Sequence, residues 1–191
     1  MLTSSQFTDA GLHPALEKNV QRCGYITPTP IQAYAVPAVL KEYDVVAVAQ
    51  TGQYTADSKI FIGRANIAAG SGKTAAYFIP VLSKLMGKTK KLAAPRPNVM
   101  DPRFDVKIHG VRAEPLVVVV VPTRELAIQI FDEARRLCYR SMLRPCVAYG
   151  GYPKGMNIEE LRKGCDILIG TPGRLCDLMD KPEVLSMNRV K

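Results

Sequence analysis

No apolar run among the 191 residues approaches the ~18 needed to cross a bilayer, so the chain is expected to be soluble and free of any membrane. Its first residues, Met1-Leu2-Thr3-Ser4-Ser5-Gln6, lack the basic and apolar stretches of a secretory leader, which places it in the cytoplasm, or in the nucleus as well. Cysteine is sparse. The five present (Cys23, Cys138, Cys146, Cys165, Cys176) are odd in number, never spaced as C-x2-C, and joined by no histidine pair. That pattern excludes a disulfide framework and a structural zinc site, and reduced, packed thiols are expected. Acid is also in short supply: 17 Asp and Glu face 26 Lys and Arg, a net charge of +9 that favours a polyanionic partner.

What remains is the pattern of a folded α/β domain, with short β-branched runs alternating with amphipathic ones, as expected for a parallel sheet covered by helices. The runs at 44–49, 116–121, 146–149 and 166–169 read as four strands buried on both faces. Between two of them, Leu126, Ala127, Ile130, Phe131, Ala134 and Leu137 form one stripe, with Glu125, Asp132, Glu133 and Arg136 opposite, which predicts a crossover helix. Asn157-Ile158-Glu159-Glu160 has the Asn-x-x-Glu form of a capping-box variant, and Gly164 is expected to end the short helix it opens. Residues 88–114, rich in Pro and with seven Lys or Arg against three Asp or Glu, read as an exposed basic connector.

Chemistry enters at Gly70-Ser71-Gly72-Lys73-Thr74, between an apolar strand and the apolar run 75–82. Glycines at such a turn let backbone N–H groups wrap phosphate oxygens, the lysine neutralises the β/γ charge and the threonine hydroxyl holds Mg²⁺. ATP with Mg²⁺ is the expected ligand, with Lys73 and Thr74 as the chemically active groups. The strict pattern wants a small residue where Ile67 stands. Upstream lies Ala49-Gln50-Thr51-Gly52, and removing 53–70 would join it to Ser71-Gly72-Lys73-Thr74 in an unbroken Ala-Gln-Thr-Gly-Ser-Gly-Lys-Thr.

That spliced octapeptide resembles motif I of the DEAD-box RNA helicases, and further motifs follow in order. Gly24-Tyr25-Ile26-Thr27-Pro28-Thr29-Pro30-Ile31-Gln32, with Phe7 upstream, resembles their Q motif. Pro122-Thr123-Arg124-Glu125-Leu126-Ala127 resembles motif Ia, Gly150-Gly151 the GG motif and Thr171-Pro172-Gly173-Arg174-Leu175 motif Ib. The context of Tyr149-Gly150-Gly151 and the basic connector look closest to the Vasa-like subgroup, linked to translation. The resemblance implies a RecA-like P-loop NTPase domain in which Gln32 selects adenine, Tyr25 lies against it and Phe7 is nearby. It implies phosphate binding by Ala49, Gln50, Thr51, Gly52, Gly70, Ser71, Gly72, Lys73 and Thr74, with Mg²⁺ reached by Thr74. RNA would be held by Pro122, Thr123, Arg124, Glu125, Gly150, Gly151, Thr171, Pro172, Gly173 and Arg174. Residues 1–33 would form the Q-motif region and 34–191 the N-terminal part of the ATP-binding domain.

Two departures qualify these expectations. The sequence reaches Lys191 without an Asp-Glu-Ala-Asp motif, which in the family supplies the Mg²⁺ carboxylate and the glutamate that activates water, and without the second RecA-like domain expected as its partner in a monomeric full-length protein. Hydrolysis by these residues alone is therefore not expected. The 18-residue segment 53–70 splits motif I; it corresponds to 54 nucleotides in frame, and back-translation permits donor, branch-point and acceptor signals, so a retained intron and a genuine loop insertion are both open. Two further readings stand beside the helicase: a non-catalytic RNA-binding fragment acting through its basic surface, and an unrelated P-loop enzyme such as a small-molecule kinase. Motifs Ia and Ib disfavour the kinase.

Overall fold

The chain is described by a computed structural model covering residues 6–47, 72–92 and 96–190; the segment 53–70, and with it Ala49, Gln50, Thr51, Gly52, Gly70 and Ser71, lies outside the described residues. It divides into two compact units, Met1–Lys88 and Thr89–Lys191.

The first unit is helical in its described part. A 3₁₀ turn, Thr8–Ala10, leads to α1 (Pro14–Arg22), where His13 caps the helix by accepting the Ala15 N–H at its ring Nδ1, 3.3 Å away. α2 (Pro30–Leu40) begins with Pro at its first position, where the missing N–H costs nothing. α3 (Lys73–Leu92) follows, and Leu16, Val20, Ile31, Val36, Phe78, Ile79 and Leu82 are buried in this unit. The His13 backbone N–H donates to Ser83 Oγ at 2.8 Å, tying the start of α1 to α3.

The second unit holds a three-stranded parallel sheet in the order β1-β3-β2. β1 is Val117–Val120, β2 Pro145–Ala148 and β3 Ile167–Gly170, each within one residue of an expected strand. Between them run α5 (Arg124–Leu137) and α6 (Lys154–Arg162), and α7 (Pro172–Met179) follows β3; a short α4 (Val106–His109) precedes β1. The α5 stripe is as the sequence predicts: Ala127, Ile130, Ala134 and Leu137 are buried, and Asp132 and Arg136 are exposed. Leu168 joins Leu161, Leu175 and Leu178 in one core on the face covered by α6 and α7. Ile167 and Ile169, which alternate to the other face, are buried too, and α5 packs against β2 and β3. Full burial on both faces is why β3 reads as a continuous apolar run. Among the described residues no helix is long and apolar enough to cross a membrane.

Two expectations need correction, and a third needs detail. Residues 44–47 form no strand; they are exposed, Val46 to 84%, and no described strand pairs with them, so β-branched side chains have no neighbours to pack on. The basic connector is mostly exposed in its described part, as expected, but it is tied down at several points. Arg96 pairs with the Asp166 carboxylate, the Val111 N–H donates to the Arg162 carbonyl at 2.8 Å, and Ala113 bridges to Leu185. The cause is Asp166 itself: a carboxylate 3% exposed needs partners, and it takes Arg96 and the Arg144 backbone N–H, 2.6 Å away. Asn157 caps no helix. α6 starts four positions earlier with Pro153 as its cap residue, although Gly164, at φ +93°, does follow its end as expected.

Candidate nucleotide and nucleic-acid sites

The first candidate site lies in the first unit, around the head of α3. Gln32, the third residue of α2, is 1% exposed. Its Oε1 accepts the Thr29 backbone N–H at 2.9 Å, the return half of a capping box, and its Nε2 donates to the Gly72 carbonyl at 3.1 Å. The same Gly72 carbonyl accepts the Ala76 N–H of the first α3 turn at 3.0 Å. Glycine suits position 72: its φ is +68°, where side chains are strained, and a Cβ would lie 2.2 Å from Gln32 Nε2, so any other residue would have to displace that amide. One side chain therefore clamps the two segments that the sequence marks for base and phosphate recognition. An amide carries two donor hydrogens and two acceptor lone pairs, so Gln32 keeps one of each beyond these bonds. Phe7 is buried and meets Tyr25 edge to face, with ring centroids 6.5 Å apart.

Lys73 and Thr74 open α3, where the first backbone N–H groups have no helical acceptor and the helix dipole favours an anion. Partial burial pushes the Lys73 ammonium below its usual range, a shift that a phosphate would oppose. The described part of this site thus fits a polyphosphate with its magnesium: a left-handed glycine, a helix N-terminus, a lysine and a threonine hydroxyl.

The second candidate site lies in the second unit, at the carboxyl ends of the strands. Because the sheet is parallel and Val120, Gly170 and Ala148 stand in register, the turns after all three strands open on the same edge. The Thr171 N–H donates to the Ala148 carbonyl at 3.1 Å, which joins two of these turns directly. Thr123 caps α5, its hydroxyl accepting the Leu126 N–H at 3.3 Å. Arg124 is exposed beside it; its Nε donates to Glu125 at 2.5 Å, which raises the guanidinium and lowers the Glu125 carboxyl from their ordinary values. Gly151, at φ +80°, sits against Arg124, since a Cβ built there would lie 3.6 Å from Arg124 Nη1. Pro122, Gly150 and Gly173 are exposed on the same side and Thr171 is half-buried. Residues 29–191 match the DEAD/DEAH box helicase family. The chain belongs to that family.

For a DEAD/DEAH box helicase domain, the two sites hold different shares of what the sequence named. The first brings together Gln32, Gly72, Lys73 and Thr74, with Phe7 and Tyr25 forming their own contact. The second gathers Arg124 with Gly151, and Thr171 with the end of β2. Arg174 points elsewhere, into a network with Asn157, Tyr152 and Asp177. None of these three residues was singled out as functional in the sequence. The signal available was a buried amide inside α6, and it was hidden because Asn157-x-x-Glu also has the form of a helix start.

Proposed function

We propose that this chain is the ATP-binding part of an RNA helicase of the Vasa-like subgroup, remodelling RNA in its full-length form. The observation that carries the reading is the register of β1, β3 and β2, which sets the turns containing Arg124, Gly151 and Thr171 along one sheet edge, as a cradle for a phosphodiester backbone requires. Backbone N–H groups, a threonine hydroxyl and an exposed guanidinium are the donors such a backbone recruits. Their sequence-independent contacts suit an enzyme that acts on many RNAs.

On the nucleotide side, Lys73 would neutralise the β/γ-phosphates, the Thr74 hydroxyl would meet the magnesium ion, and the N–H groups at the head of α3 would face the phosphate oxygens. Bound ATP supplies the cleavable phosphoanhydride that drives remodelling. Gln32 would read the adenine edge with its spare donor and acceptor while holding Gly72 in place, with Tyr25 against the base and Phe7 behind it. The 191 residues contain no Asp-Glu-Ala-Asp sequence, so water activation is assigned to groups outside them, as is closure by a second RecA-like domain.

The test is binding rather than turnover. A labelled single-stranded RNA should bind with a salt-dependent affinity, and a fluorescent ATP analogue should bind more tightly once residues 53–70 are deleted. RNA affinity that is indifferent to nucleotide both with and without 53–70 would instead favour the non-catalytic RNA-binding reading, to which the net charge of +9 already lends weight.

A further inference from the structure

Arg174 is the third residue of α7, within the stretch that resembles motif Ib, yet its guanidinium faces the protein. Nη1 donates to Asn157 Oδ1 at 2.5 Å, Nη2 donates to the Tyr152 carbonyl at 2.9 Å, and Nε lies 3.7 Å from Asp177 Oδ2. The side chain is only 10% exposed. Asn157 is itself buried inside α6 and turns its Nδ2 to the Val147 carbonyl at 3.5 Å. Asp177 is shared with Lys154, also at 3.7 Å, so the carboxylate faces two cations. A planar guanidinium offers five N–H donors in a fixed fork. Here that fork spans α7, the residue directly after Gly150-Gly151, and α6.

Arg124 differs in each respect. Its side chain is 64% exposed, its described hydrogen bond is to the adjacent Glu125, and it stands beside Gly151.

We propose that Arg174 is a positioning residue: it fixes the turn 150–152 through Tyr152 and Asn157, so that Gly151 stays beside Arg124, and Arg124 makes the phosphate contact. This division of labour rests on the RNA reading above, but the strut itself does not. Lysine is no equivalent of Arg174, because its three donors sit on one nitrogen, whereas the guanidinium meets the amide oxygen, the carbonyl and the carboxylate with three separate nitrogens in a planar fork.

The experiment measures anisotropy of a labelled oligouridine across a series of KCl concentrations, for the wild-type chain and for R124Q, R174Q, R174K and N157A, with amide hydrogen exchange on each. R124Q should reduce the slope of log affinity against log salt by about 0.7, the loss of one single-strand phosphate contact. R174Q, R174K and N157A should each weaken binding by about tenfold with the slope unchanged, and raise exchange over 150–157, which R124Q should leave as it is. If R174Q does not fold, R174K and N157A carry the comparison. A slope lowered in R174Q and restored in R174K would overturn the proposal and make Arg174 a direct contact. So would unchanged exchange over 150–157 in the Arg174 and Asn157 variants. If wild-type chain fails to bind oligouridine, the RNA reading falls, and the exchange data decide the strut alone.

Discussion

On the β2 edge of the sheet, the backbone positions that face away from β3 are Pro145, which has no N–H, and Val147, whose carbonyl accepts the Asn157 side chain at 3.5 Å. On the β1 edge they are Val118 and Val120, since Val117 and Val121 donate into β3, to Asp166 and Gly170. Val120 is 60% exposed, and among the described residues no strand pairs with the side of β1 that faces away from β3. One edge is thus closed by a proline and a buried amide, while the outward backbone groups of the other have no strand partner among the described residues. Closed edges resist pairing with other chains and open edges invite it. The contrast explains why the buried amide network with Arg174 sits on the β2 side: α6 already covers that edge, and its polar groups need partners.

The sharpest way to break this comparison is proline scanning of β1. Val119→Pro removes an N–H that alternation places in the β1–β3 ladder and should cost about 1–3 kcal/mol, whereas Val118→Pro removes an outward N–H and should cost far less. Urea unfolding of the two variants checks it, and equal losses would mean that β1 does not have the alternation described.

A smaller effect concerns Cys138, at the end of α5 beside the β2 edge. Burial, aided by the nearby Asp166 carboxylate, pushes its thiol from 9.0 to about 12. The folded state therefore holds this proton more tightly than the unfolded chain does. Its contribution is fully present below about pH 9 and is lost as pH rises through about 12, at roughly 1 kcal/mol per pH unit for one thiol. Denaturation midpoints for wild type and Cys138→Ser, measured from pH 8 upward, should converge as this contribution disappears. In the same protein at pH 8, exposed Cys176 should alkylate long before buried Cys138 and Cys165, whose thiol is also raised by burial and by its contact with Cys146.

The smallest effect on stability is expected on the open edge. Val120→Lys should change unfolding free energy by less than about 0.5 kcal/mol, because the side chain is exposed, yet it should reduce self-association in light scattering. Unchanged association would place any stickiness of the chain elsewhere.

Much of the fold was readable in advance for a reason visible in α5 and β3. The α5 stripe is periodic and capped by Thr123, and β3 is apolar on both faces, so local pattern and tertiary environment agree. They disagree at 44–47, where β-branched residues are equally dense but find no described partner. Asn157 fails differently: the same side chain that can cap a helix can bridge two elements, and only the Val147 carbonyl and Arg174, brought close by folding, select the second use. The connector shows the same dependence, since the composition of 88–114 is that of a solvated loop until Asp166, far along the chain, claims Arg96.

For the candidate sites the division is similar. The residues Gly72, Lys73, Thr74, Gln32, Arg124, Gly151 and Thr171 were fixed by motif order, because a turn that must approach a phosphate closely tolerates few side chains. Their family followed from the same motifs. Which arginine stays exposed was decided by tertiary structure alone. Arg124 and Arg174 both lie in the first turn of a helix that follows a strand, within two short motifs. Their exposure is set by acceptors on other elements: a carbonyl at Tyr152, an amide at Asn157 and a carboxylate at Asp177 surround one guanidinium, while Glu125 accepts from the other at the surface.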